Sequence, residues 1–167
     1  MKTKFLYYTE CACPALMFPV GLKGLGAQVV IPIEDGPCEG GEINGVIKPL
    51  GADWNTIHFL GITSDVLAKY QITTDDGAVL DLFTDGRMKV MWDKVPKNLL
   101  GLKHYFSDYV YFREFLYYHT NDERYKWLED TPCFAMIGMK FTMKDKKPYF
   151  LISYYAYAII DEQEEIL

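Results

Sequence analysis

The chain has 167 residues, 50% apolar and 24% charged, which fits one globular domain with a sizeable core and excludes a disordered chain. A net charge of −6 with no Lys/Arg cluster excludes the basic face of a nucleic-acid binder. Aromatic residues reach 16%, with 13 Tyr and 10 Phe, a content that favours strands and a cavity or interface lined by rings.

In chain order, residues 4–9 read as a first strand. Their apolar stretch Phe5-Leu6-Tyr7-Tyr8 is too short for a secretory signal core and runs into Glu10. No apolar run approaches the roughly 20 residues that span a bilayer, so a cytoplasmic chain with no membrane partner and four reduced Cys is expected. Gly21-Leu22-Lys23-Gly24-Leu25-Gly26 lacks the strand–helix context of a nucleotide loop. Strands are predicted at 27–33, 42–48 and 54–60.

From Val66 to Trp92 the period is two: Val66, Ala68, Tyr70 and Ile72 alternate with Leu67, Lys69, Gln71 and Thr73. A three-residue loop Asp75-Asp76-Gly77, with Gly77 left-handed, places Ile72 opposite Leu80, Tyr70 opposite Leu82 and Gln71 opposite Asp81. The same reasoning on Thr84-Asp85-Gly86 predicts a second turn, pairing Leu82 with Met88, Leu80 with Val90 and Asp81 with Lys89. Asp81, Asp75 and Asp76 therefore read as structural.

Residues 96–104 read as an irregular connection, 109–118 as a strand, and 121–129 as a turn or short helix. Strands follow at 134–143 and 149–160, separated by a solvated turn at Lys144-Asp145-Lys146-Lys147. The acidic residues 161–165 read as a polar end. About nine antiparallel strands with regular turns predict an all-β sandwich or barrel in a single domain, and closure into a barrel solves the edge problem for so many aromatic strands. The strands at 109–118 and 149–160 are apolar on both faces, so one face needs a cover. The simplest is a second subunit, and a homodimer or higher homo-oligomer is expected.

Chemistry-bearing patterns are few. Cys11-x-Cys13, distant Cys38 and Cys133, and three scattered His match no zinc spacing, so no metal and no cofactor is expected. No nucleophile elbow occurs. Charged residues set in aromatic or glycine-rich sequence remain: Arg113 in Tyr111-Phe112-Arg113, Asp53 in Gly51-Ala52-Asp53-Trp54, and Glu39 before Gly40-Gly41. Arg113 shares a face with Tyr111 and Phe115, so it points either inward or into an interface. There it needs a carboxylate or a ligand, either as a brace or as a binding group. Trp54 and Trp127 suit core packing or ligand stacking.

These residues fall in motifs that resemble the domain-of-unknown-function family numbered 3237, over about residues 29–159. The motifs are Gly40-Gly41-Glu42-Ile43-Asn44-Gly45-Val46-Ile47, Gly51-Ala52-Asp53-Trp54-Asn55, Thr73-Thr74-Asp75-Asp76-Gly77-Ala78, and Tyr111-Phe112-Arg113 followed by Arg124-Tyr125-Lys126-Trp127-Leu128. The chain departs from the family pattern at Glu114 (usually Thr), at Tyr118-His119-Thr120 (usually Phe-Glu-Thr) and at Glu129 (usually Asn), which sets His119 and Glu129 apart from any function the family shares. The resemblance implies an all-β, calycin-like or lipocalin-like barrel, antiparallel and up-and-down, of about eight to ten strands.

Three functional readings follow. In the first, the barrel mouth binds a small apolar or aromatic molecule, hydroxylated or anionic, at Arg113, Asp53, Trp54, Tyr125 and Trp127. In the second, Asp53 or Glu39 is the general acid or base of a cofactor-free isomerase, cyclase or lyase, with Arg113 stabilising an enolate or carboxylate. In the third, the chain is a structural or partner-binding subunit.

Overall fold

The computed structural model describes residues 2–14, 18–23, 26–58, 63–95 and 109–160. Nearly all are strand: β1 (Lys2–Pro14), β2 (Phe18–Lys23), β3 (Gly26–Ile33), β4 (Gly36–Glu39), β5 (Gly45–His58), β6 (Thr63–Thr74), β7 (Val79–Val90), β8 (Val110–His119), β9 (Cys133–Lys144) and β10 (Lys147–Ile160). A single 3-10 turn, Lys126–Leu128, is the only helical piece among the described residues.

The pairings close on themselves. β1 pairs with β10, then β9, β8, β7, β6, β5 and β4 follow in order, and β4 returns to β1. This is the expected all-β, up-and-down barrel, with eight strands in the closed wall and β3 and β2 as additions alongside β5. Closure of the eight-strand wall removes most of the free edges that so aromatic a set of strands would otherwise offer to other chains.

The register predicted for the first turn holds: Tyr70 faces Leu82, Gln71 faces Asp81 and Ile72 faces Leu80. Gly77 has φ +89°, the left-handed geometry that only glycine adopts without strain. The second turn is corrected. β7 runs unbroken from Val79 to Val90, and Gly86 sits inside it, facing Val66 on β6 and Glu114 on β8. Asp81 accordingly lies between Gln71 and His119, not Lys89. An Asp-Gly step signals a turn because glycine permits positive φ. Here the glycine serves space, not torsion. The strands predicted at 42–48 and 54–60 are one strand, β5, with an irregularity between Lys48 and Ala52 that bends it across the wall. Residues 96–104 and 161–165, and the end of the predicted 54–60 strand, lie outside the described residues.

Inward-facing positions alternate bulky and small. Tyr7, Tyr70, Phe112, Tyr118 and Tyr154 interleave with Ala68, Ala135, Ala156 and Ala158, all buried. Burial pushes the thiols of Cys11 up to about 11 and of Cys38 and Cys133 up to about 12, so these cysteines are neutral core residues.

One end of the barrel is closed by three of the sequence motifs. Asn44 accepts from the backbone N–H of Asp75 at 2.8 Å. Arg124 donates to Asp76 Oδ2 at 2.8 Å and to Asp122 Oδ2 at 2.7 Å, and the Tyr125 hydroxyl donates to Asp76 Oδ2 at 3.1 Å. Glu129 accepts from Thr120 N–H and from Lys126 Nζ, and Leu128 is buried beneath this network. Turn chemistry in these motifs thus builds a lid on the core.

Candidate active site: a buried acid pair

The barrel interior holds two carboxylates. Asp53 comes from β5 and Glu114 from β8, and both are buried. The local sequence explains how each is accommodated. Alternation turns Asp53 and Asn55 inward and Trp54 outward. Glu114 faces inward between its cross-strand neighbours Gly86 and Ala135, whose missing bulk leaves room for its side chain. A Cβ on Gly86 would stand 2.3 Å from Glu114 Cγ.

No positive charge accompanies the pair among the described inward-facing residues. Its partners are hydroxyls. The Tyr154 hydroxyl donates to Glu114 Oε1 at 3.5 Å and Oε2 at 3.4 Å. Asp53 Oδ1 is buried and has no hydrogen-bond partner among the described residues. Beside Asp53 lies a small space of about 10 Å³, lined by Cys11, Cys13, Ile33, Ile47, Tyr70, Ile152 and Tyr154. That is the room of a single water molecule.

These surroundings favour neutral forms. Burial pushes the Asp53 carboxyl up to about 7. Glu114 is raised well above the usual carboxylate range, first by burial and then by the nearby Asp53 charge. Tyr154 is likewise raised, by burial and then by Glu114. The two acids repel each other and both shift towards their protonated forms, with Asp53 titrating near neutral pH.

The remaining sequence-derived candidates are dispersed. Arg113 projects from the outer face of β8, where its guanidinium donates to the Phe112 carbonyl and lies 4.9 Å from the Tyr111 ring centre. Trp54 is on the outer face of β5, 47% exposed. Tyr125 and Trp127 belong to the closed end, the latter under Lys4. Glu39 is exposed at the end of β4. Of the set, only Asp53 faces the interior, and the barrel wall separates it from Arg113. Glu114 was missed. Its signal was present in the sequence, because a charge on one face of β8 must leave its neighbour on the other. With rings on both faces, period two alone does not say which face is inside.

Fold and site together define a closed antiparallel β-barrel with a protonatable interior. The family profile described as "Protein of unknown function (DUF3237)" matches residues 1–159, and the chain belongs to that family. A UPF0311 protein of Bradyrhizobium diazoefficiens is 31% identical over 128 residues, 77% of this chain and 82% of that protein. Among solved structures, a conserved protein of unknown function from Rhodopseudomonas palustris superposes with TM-score 0.73 at 21% identity, covering 95% of this chain and 97% of its own. A β-barrel-like protein from Acinetobacter baumannii gives TM-score 0.67 at 23% identity, covering 93% and 97%.

Proposed function

We propose that this barrel binds a small, uncharged apolar or aromatic molecule and receives its hydroxyl or carbonyl group at Asp53. The observation that carries this reading is the buried Asp53 Oδ1, unpartnered among the described residues, facing a space walled by apolar and tyrosine side chains. An orphaned buried oxygen is destabilising by about 1–3 kcal/mol, and a ligand hydroxyl in the water-sized space offsets that loss. The space as it stands admits only the hydroxyl, so binding requires the side chains that line it to move apart for the rest of the molecule. With no cation among the described inward-facing residues, an anionic ligand finds nothing to neutralise it there.

A second reading rests on a separate observation. Asp53 titrates near 7 with Glu114 as its proton-holding neighbour, which suits a group that passes a proton between two atoms of a neutral substrate. This is the chemistry of a cofactor-free isomerase, cyclase or lyase. Arg113, on the far side of the wall, takes no part in it.

The experiment is a thermal-shift titration with phenol and catechol against benzoate, on the parent, Asp53→Leu and Arg113→Lys. Stabilisation by the neutral phenols that vanishes in Asp53→Leu and survives in Arg113→Lys is the expected result. A response to benzoate alone, lost in Arg113→Lys, would move the site to the outer face. For the catalytic reading, the parent should speed deuterium uptake at the α-carbons of an added cyclic ketone. Asp53→Asn should still bind the ketone but lose the exchange.

A further inference from the structure

The outer wall across β7, β8, β9 and β10 carries a band of exposed rings and a thioether: Tyr111, Phe115, Tyr117, Met136 and Tyr155 are 37–59% exposed. Phe115 faces Phe134 across β8 and β9, and Phe134 stacks on Tyr157 with ring centres 5.6 Å apart. Within the band runs a groove of about 630 Å³, lined among others by Asp85, Arg113, Phe115, Phe134 and Ile159.

The charges of this groove are unbalanced in a particular way. Arg87 and Arg113 are direct cross-strand neighbours, an arrangement that is unfavourable unless anions relieve it. Arg87 is relieved by Asp65 at 2.6 Å. Arg113 meets no carboxylate among the described residues and is held only by the Phe112 carbonyl and the Tyr111 ring. Asp85, exposed on the adjacent strand and lining the same groove, has no hydrogen-bond or ion-pair partner among the described residues. One free cation and one free anion thus flank a shared apolar floor.

We propose that this face is the contact between two copies of the chain, related by a two-fold axis that sets Arg113 of each against Asp85 of the other. A two-fold contact uses one patch twice, so a patch carrying both signs with an apolar centre is complementary to itself. A single groove then gains two ion pairs, and the aromatic band is covered on both copies. The inference is independent of the ligand reading above, because it concerns the other side of the wall.

The test is sedimentation velocity of the full chain, alone and as charge variants, with circular dichroism as the check on folding. The parent is expected at twice the chain mass of 19.3 kDa. Arg113→Asp and Asp85→Arg each place like charges together at both contacts, and each should weaken association by about 100-fold or more. Mixed in equal amounts, the two variants have opposite charges at both contacts, so they should associate with each other. A monomeric parent at millimolar concentration would overturn the proposal. So would a dimer indifferent to both substitutions, or a failure of the mixed variants, each folded, to re-associate. Binding of benzoate to a monomer through Arg113 would also overturn it, by making the groove a ligand site.

Discussion

Asp53→Asn should be more stable than the parent at pH 8 and should lose less stability than the parent between about pH 4 and pH 7. In the folded protein the Asp53 carboxyl is raised from 3.8 to about 7. The unfolded chain releases this proton near the ordinary value of about 3.9. Between those two values the native state holds a proton that the unfolded state has lost, so rising pH favours unfolding. Below the window both states are protonated and the full contribution is present. Above it both are ionised and the contribution is gone. About three units correspond to roughly 4 kcal/mol as an upper bound.

The groups facing Asp53 do not reverse this sign. Tyr70, Tyr154, Cys11 and Cys13 are all raised by burial and stay neutral across the window. Glu114 is raised in the same direction as Asp53, so its own loss of stability with rising pH is common to parent and variant, and the difference between them reads Asp53. Asparagine has the shape of the protonated carboxyl and no charge to bury. Urea unfolding at pH 5, 6, 7 and 8 for parent and variant reads the difference directly. Parallel pH profiles, or a parent that gains stability from pH 5 to 8, would mean that the cavity is wetter or better paired than its geometry shows.

The barrel was legible because its grammar is local. Alternation fixed which residues of β6 and β7 face each other, and Gly77 fixed the loop between them. Closure followed from the number of strands and the need to hide their edges. The acid pair was half legible. Asp53 stood out as a charge between Ala52 and Trp54, and turning it inward also put Trp54 outside. Arg113 and Glu114 are adjacent on β8, which presents rings on both faces, and a one-residue choice of face reverses the assignment of every side chain on the strand. What decides the face is the size of the neighbours across the sheet. Gly86 and Ala135 flank Glu114, while Arg87 and Met136 flank Arg113. That comparison needs the register of three strands at once, and the register was lost where Asp85-Gly86 was read as a turn.

Gly86 therefore provides the second large effect: Gly86→Ala should destabilise the barrel by about 1–3 kcal/mol, against the usual gain of about 0.5–1 kcal/mol for alanine over glycine in a regular element. The added methyl would stand 2.3 Å from Glu114 Cγ, 2.5 Å from the Arg113 carbonyl oxygen and 3.1 Å from Glu114 Cα. The first neighbour is a side chain that can swing away. The others belong to the backbone of β8, which the ladders to β7 and β9 hold in place. Truncating Glu114 separates the two contributions. In an Glu114→Ala background the side-chain clash is gone and the buried acid with it, so the cost of Gly86→Ala should fall by about 1 kcal/mol or more, a coupling of the size expected for residues in contact. The part that persists in the double variant measures how little the two strands can separate. Urea unfolding of the parent, the two single variants and the double variant closes the cycle. Additive effects would show that Glu114 does not occupy the space over Gly86, and the account of how β8 carries an acid into the core would fail with it.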